Sequence, residues 1–145
     1  MENKNIIVKV RGIIINDGKL LIVKHKQSQF MALPGGHLEY GEDIISCIKR
    51  ELVEELGVIP EVGNLLYINT FIDSKKDEYV EFFFEIKNGE KYLDISGLER
   101  THAHELSEIL WISKDDSIEI LPKGLDKDFK SNNIDLLKTK FINEI

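Results

Sequence analysis

Four charged side chains within six consecutive residues are the part of this sequence best suited to chemistry: Arg50, Glu51, Glu54 and Glu55. Glu54 and Glu55 follow Glu51 by three and four residues, so a helix would place all three carboxylates on one flank. Like charges at these spacings repel by roughly 0.2–0.5 kcal/mol per pair. Carboxylate oxygens are also the ligands that hard divalent cations take. The cluster alone therefore leaves two interpretations, a solvated acidic helix face or a metal site.

The residues around this cluster predict the helix that must carry it. From Glu42 to Leu56 there is no proline or glycine. The acids Glu42 and Asp43 fall in the first turn, at the positive end of the helix dipole. Gly57 follows as the residue best able to end a helix in the left-handed conformation. Apolar residues at helical spacing should face a core, and these are Ile45, Ile48, Leu52 and Leu56.

A glycine-rich loop, Leu33 to Gly41, precedes the predicted helix. Its paired glycines, Gly35 and Gly36, let the backbone approach a phosphate or a metal closely, because no Cβ intervenes. The segment from Gly36 to Val58 resembles the Nudix box, the signature of the Nudix hydrolases, and every fixed position of that pattern is filled. This resemblance favours the metal site over the solvated face.

The resemblance implies a role for each residue of the box. Glu51, Glu54 and Glu55 would bind Mg²⁺, for which Mn²⁺ could substitute, and the Gly36 carbonyl would be a further ligand. Arg50 would hold a catalytic glutamate in position, a role that also contributes to structure.

Nudix enzymes often take another acid from a loop downstream of the box. Here Glu105 is the preferred candidate and Glu108 the second, although a solvated polar loop is an equal interpretation for either. The proton acceptor would be Glu51 or a loop acid such as Glu105. His102 and His104 nearby lack a third ligand at metal-binding spacing, so a transition-metal pair is the weaker interpretation.

The activity implied by the resemblance is Mg²⁺-dependent hydrolysis of a phosphoanhydride in a nucleoside diphosphate linked to a group X. The segment Leu33 to Glu39 looks like that of the MutT-like Nudix enzymes that clean up nucleoside triphosphates, which we therefore expect as substrates. The alternatives are sugar-linked or dinucleotide substrates, capped RNA ends, or a nucleotide-sensing module without turnover. A downstream proline that accompanies ADP-ribose specificity is replaced by Asp73, which counts mildly against ADP-ribose.

Residues on the substrate side are less defined by the pattern. Phe30 and Tyr40 flank the glycine loop and could stack on a base, although aromatic residues beside a sheet are more often part of the core. Arg11 and Lys24, on the first two predicted strands, could contact phosphates if their side chains face a cleft.

Composition limits the class of protein. The 145 residues predict one domain, residues 1–145. A net charge of −7 opposes broad binding to nucleic acid backbones, so we expect a small nucleotide as the partner. There is no run of transmembrane length, and Met1 to Asn5 lacks the layout of a signal peptide. The single cysteine, Cys47, permits no internal disulfide. These features predict a cytoplasmic protein without a membrane partner and leave the oligomeric state open, a homodimer included.

The remaining patterns predict an α/β fold, a Nudix-like α/β/α sandwich with a mixed sheet. Runs rich in β-branched and aromatic residues predict five strands, at Ile6–Ile15, Leu20–His25, Leu65–Ile72, Glu78–Ile86 and Ser107–Ile112. Two further helices are predicted, at Asp115–Ile120 and Asp126–Phe141.

Overall fold

The computed structural model describes residues 4–145 as a mixed β-sheet with one α-helix against each face. Residues 1–3, which belong to the segment assessed for a signal peptide, lie outside the described residues. The strands are β1 (Ile6–Asn16), β2 (Lys19–His25), β3 (Met31–Ala32), β4 (Gly35–His37), β5 (Val62–Ile72), β6 (Glu78–Ile86), β7 (Leu106–Ile112), β8 (Ile120–Leu121) and β9 (Lys140–Asn143). The helices are α1 (Ile44–Leu56) and α2 (Lys123–Lys130), with 3₁₀ turns at Gly89–Tyr92 and Ala103–Glu105.

Strand pairing in this sheet is both parallel and antiparallel. Its order is β8-β3-β2-β1-β6-β5-β9, with β4 paired to β1 and β7 paired to β2. The pairs β1–β6, β5–β9 and β3–β8 are parallel, and the other pairs are antiparallel. The predicted mixed sheet is therefore confirmed.

Alternating side chains of the central strands form two hydrophobic cores. On β1, Val10 and Ile14 pack in the cluster that contains Ile48 and Leu52 of α1. Ile13, which points to the opposite face, packs in the cluster that contains Leu125 and Phe129 of α2. The two helices thus cover opposite faces, which confirms the α/β/α arrangement. The prediction that residues 1–145 are one domain stays a prediction.

Helix α1 begins and ends at residues that suit a helix terminus. Asp43 is the N-cap, and its carboxylate accepts a hydrogen bond of 2.9 Å from the Ser46 backbone N–H. Gly57 ends the helix with φ 80°, as predicted. Ile45, expected in the apolar stripe, is 39% exposed, whereas Cys47 is buried. The stripe runs through Cys47 and Ile48, which leaves Ile45 at its edge.

The C-terminal third differs from the sequence prediction in two places. Residues 115–120 form no helix, because Asp116 closes a turn with Ser113. The Asp116 carboxylate accepts a hydrogen bond of 2.7 Å from the Ser113 backbone N–H, and the Asp116 N–H donates one of 3.1 Å to the Ser113 carbonyl. The predicted tail helix spans Lys123–Lys130 and stops short of Phe141. It stops because Ser131 and the asparagines after it bond to the last turn, and Asn132 takes φ 57°. The chain then returns to the sheet as β9.

Neither α-helix found in residues 4–145 has the length and apolarity needed to cross a membrane.

We expect Gly57→Ala to lower the free energy of unfolding by about 1–2 kcal/mol, because a Cβ is disfavoured in the left-handed conformation. That Cβ would also lie 2.9 Å from Leu98 Cβ and 3.0 Å from the Glu99 carbonyl oxygen. Urea denaturation measures the change. Gly97→Ala is the matched control, because its Cβ would meet nothing within 4 Å. Equal stability of the two variants would contradict the role assigned to Gly57.

Candidate functional site

Strand β4 brings the glycine loop directly against α1. It pairs antiparallel with β1, which places Gly36 opposite Val10. A Cβ on Gly36 would lie 2.6 Å from both carboxylate oxygens of Glu51, and a Cβ on Gly35 would overlap the Val10 carbonyl oxygen. Only glycine leaves room here for the Glu51 carboxylate to lie on the loop backbone, whereas the predicted approach of the loop to a phosphate or a metal stays a prediction.

Arg50 joins the loop to acids within and just before α1 through several hydrogen bonds. Its Nε and Nη2 lie 2.7 and 3.1 Å from the two carboxylate oxygens of Glu42. Its Nη1 donates to Glu51 at 2.9 Å and to Glu54 at 3.2 Å, and Nη2 also donates to the His37 carbonyl at 3.0 Å. The hydrogen bond from Arg50 lowers the pKa of Glu42, and the same bond raises the pKa of Arg50. Arg50 is thus placed to orient Glu51 and Glu54, the role implied by the family resemblance.

The Glu51 carboxylate is held in a largely buried position with 13% of its side chain exposed. Burial, and next the charge of Glu55, raise its pKa, while the hydrogen bond from Arg50 opposes that rise. The ionised form of Glu51 is therefore disfavoured in this protein without further cations.

Glu55 lies inside the protein rather than on an exposed flank. Its side chain is fully buried, and Oε2 lies 2.9 Å from Nε2 of His25 at the end of β2. Its other oxygen, Oε1, has no hydrogen-bond partner among residues 4–145. A buried carboxylate oxygen without a partner is costly and requires an explanation.

Histidines from two other segments contact the helix acids. His25 reaches Glu55, and His102 Nδ1 lies 2.8 Å from Glu54 Oε2. The His102 backbone N–H also donates to the Glu54 carbonyl at 2.8 Å. The sequence analysis missed both contacts. Only the position of His102 in the polar loop before β7 was a signal, and nothing in the sequence connects His25 to Glu55.

The predicted downstream acids occupy different positions. Glu105 lies in the 3₁₀ turn just before β7 with 47% of its side chain exposed, and its Oε1 is 3.9 Å from His102 Nδ1. Glu105 thus reaches the helix acids only through His102. Glu108 lies on β7 opposite Lys24 of β2. The rings of His102 and His104 are 6.1 Å apart.

Within residues 4–145, no three His, Cys, Asp or Glu side chains converge as ready-made metal ligands. The contacts of Arg50 account for this, since its Nη1 binds Glu51 and Glu54 and so acts as their counter-charge. Glu51, Glu54 and Glu55 nevertheless offer carboxylate oxygens from one helix, the type of ligand that a hard divalent cation takes. The unpartnered, buried Oε1 of Glu55 is the atom of this cluster that a bound cation would best satisfy.

A cleft of about 550 Å³ opens on the face of the sheet that carries α2. Among the residues that line it are Lys9, Arg11, Phe30, Asn69, Phe71, Tyr79 and Glu81. The rings of Phe71 and Tyr79 stack with centroids 4.6 Å apart and planes 2° apart. The cleft therefore combines aromatic walls with charged side chains of both signs, because Asp73 and Glu144 also line it.

Of the four residues that the sequence offered as substrate contacts, Phe30 and Arg11 line this cleft, whereas Tyr40 and Lys24 do not. Phe30 lines it and is 60% exposed, so this ring is not part of the core. Tyr40 is fully exposed and is not part of the cleft lining. Arg11 lines the cleft but is buried, with Nε 2.5 Å from Glu81 and Nη1 donating to the Leu33 carbonyl at 2.8 Å. Lys24 is also absent from the lining.

We expect Glu51→Gln to raise the melting temperature at pH 7 in the absence of divalent ions. The folded-state pKa of Glu51 lies above its ordinary value of 4.5, so ionisation costs stability above the folded pKa and costs none below pH 4.5. The rise in melting temperature of Glu51→Gln over the wild type should therefore shrink as the pH falls to 4.5. Thermal melts across this pH range measure it, and Glu119→Gln, at an exposed site, is the control. A variant less stable than wild type at pH 7 would show that attraction to Arg50 outweighs desolvation.

Comparisons with known proteins agree with this geometry. The model of the NUDIX domain family matches residues 7–133. An ADP-ribose pyrophosphatase of Methanocaldococcus jannaschii is 38% identical over 89 residues, which are 57% of this chain and 53% of the relative. This chain thus spans about half the length of that relative.

Two further similarities cover more of the chain. A MutT-like protein of Streptomyces ambofaciens is 31% identical over 115 residues, 77% of this chain and 67% of the relative. The crystal structure of a MutT protein from Methanosarcina mazei Go1 has a TM-score of 0.71 at 21% identity, covering 93% of this chain and 100% of that one, and shows the shared fold. By the family match and the S. ambofaciens relative, this chain belongs to the Nudix family.

Proposed function

We propose that this chain hydrolyses a phosphoanhydride bond in a nucleoside diphosphate linked to a group X, in a reaction that requires Mg²⁺ or, in its place, Mn²⁺. The single observation that carries the proposal is Glu55, a fully buried carboxylate with one unpartnered oxygen. It lies on the same helix as Glu51 and Glu54. Carboxylates so placed are costly to keep unless a cation joins them.

The residues that would hold the ions are Glu51, Glu54 and Glu55, with the Gly36 carbonyl beside Glu51. When bound, divalent ions neutralise phosphate charge and lower the pKa of water. Arg50 would orient Glu51 and Glu54, and His25 and His102 would hold the outer oxygens of Glu55 and Glu54. Glu51 and Glu105 are the two candidates for accepting the proton of the attacking water. A cytoplasmic location remains part of the proposal.

Two substrate classes follow from different observations. The segment Leu33 to Glu39 favours nucleoside triphosphates, and the stacked Phe71–Tyr79 pair of the cleft suits a planar base. The M. jannaschii relative is named for ADP-ribose, which favours the sugar-linked alternative, whereas Asp73 counts against it. A sensing module without turnover is disfavoured by the complete box.

A turnover panel with Mg²⁺ and identification of the products decides between these classes. The panel would contain nucleoside triphosphates, sugar nucleotides including ADP-ribose, dinucleotides and capped RNA. Binding without product formation for every compound would support the sensing module and refute hydrolysis.

We expect Mg²⁺ to raise the melting temperature of the wild type, because an ion that binds only the folded form stabilises it. Glu54→Gln should reduce that rise and lower kcat by about 100-fold, which is about 2.7 kcal/mol of activation free energy. Glu119→Gln, at an exposed site, serves as the control for both measurements. Near-normal turnover of Glu54→Gln at saturating Mg²⁺ would remove Glu54 from the metal site.

Hydrolysis in ¹⁸O-water identifies the bond that breaks. If water attacks a phosphorus within the phosphate chain, the label should appear in a phosphate product and never on the sugar or the base. A nucleoside triphosphate would then yield a monophosphate and pyrophosphate, or a diphosphate and phosphate. Mass spectrometry of the products distinguishes these results, and label on a sugar carbon would refute phosphorus attack.

A further inference from the structure

We propose that Lys9 binds the phosphate chain of the substrate from the cleft side, opposite the carboxylates of α1. The inference rests on the proposed function and adds a phosphate-binding residue outside the box. It also replaces Arg11 and Lys24, the cations that the sequence analysis considered for this role.

The position of Lys9 on β1 connects the cleft to the glycine loop. In the sheet register Lys9 lies opposite His37 of β4 on one side and Glu81 of β6 on the other. The neighbouring pair of the same ladder, Val10 and Gly36, lies where Gly36 supports the Glu51 carboxylate. The Lys9 side chain itself lines the cleft. Lys9 and Arg11, the two cations among the residues that line the cleft, flank Val10 along β1, so a phosphate chain reaching from the cleft toward Glu51 would meet one of them.

The charge of Lys9 is available, whereas that of Arg11 is not. Arg11 is neutralised by Glu81 and bonded to the Leu33 carbonyl. Within residues 4–145, the Lys9 ammonium has no hydrogen bond or ion pair, and its Nζ lies 5.2 Å from the centroid of the Tyr79 ring. A cation held over an aromatic ring keeps its charge and its N–H donors free for an anion.

The surroundings of Lys9 strengthen the attraction between its ammonium and a bound anion. Burial and then the charge of Arg11 lower the pKa of Lys9 to about 8, against the opposing charges of Glu81, Asp73 and Glu51. An ammonium that has lost part of its hydration gains more from a phosphate than one in open water.

The simplest rival interpretation is that Lys9 only packs on Tyr79 and stabilises the sheet. Arginine would keep the charge and the contact with the ring, whereas glutamine would remove the charge. Lys87 follows β6 at the other end of the same sheet and is exposed, so Lys87→Gln is the matched control. Melting temperatures of all variants report any structural effect separately.

Isothermal titration with Mg²⁺–pyrophosphate at pH 7 tests the inference without requiring turnover. We expect Lys9→Gln to weaken binding about tenfold, equal to about 1.4 kcal/mol. Lys9→Arg and Lys87→Gln should bind like the wild type. Adenosine, which has no phosphate, should bind equally to wild type and Lys9→Gln.

Three results would overturn the inference. Unchanged pyrophosphate affinity in Lys9→Gln would do so, as would an equal loss in Lys9→Arg, or a wild type that does not bind pyrophosphate. These results are separable from failure of the proposed function. Lys9-dependent pyrophosphate binding with no turnover on any substrate would refute hydrolysis and support the phosphate contact. Turnover by the wild type, together with unchanged pyrophosphate affinity in Lys9→Gln, would support hydrolysis and refute the phosphate contact of Lys9.

Discussion

The balance of charge around Arg50 is the constraint on which the candidate site depends. Glu42, Glu51 and Glu54 all contact one guanidinium. A planar group with five donors can serve several carboxylates at once, which an ammonium cannot do with the same geometry. By binding the His37 carbonyl in the loop and Glu42 between the loop and the helix, Arg50 fixes the glycine loop against α1. The close approach of Gly36 to Glu51 follows from that attachment.

Local patterns were enough to predict α1 and the central strands, because caps and strand-forming runs act over a few residues. Asp43 and Gly57 lie at the helix ends, and the sheet alternation separates the two cores. The region after β7 was predicted less well. There the ends of α2 depend on Asn132 and on the return of the chain to pair with β5. Such a long-range pairing leaves no periodic signal in the tail sequence.

The same difference between local and long-range contacts applies to the site. Glu51, Glu54 and Glu55 share one helix, so their spacing was visible in the sequence. His25, His102 and the Arg11–Glu81 pair act across 30, 48 and 70 positions respectively. Arg11 does line the cleft, as its candidacy for a phosphate contact required, but Glu81, a buried acid on β6, pairs with its charge. Sequence spacing cannot show which charges are already neutralised.

In the proposed function, the groups that would hold a charged substrate lie on two sides of β1. On the side of α1, carboxylates outnumber cations and would attract metal ions. On the cleft side, the buried Arg11–Glu81 pair is neutral overall, which leaves Lys9 as the positive group next to the aromatic pair. A phosphate chain needs positive charge on both sides, and a protein of net charge −7 supplies little elsewhere. If Lys9 and bound divalent ions together hold the phosphates, a small nucleotide would be favoured over a longer nucleic acid, whose other phosphates would meet an acidic surface.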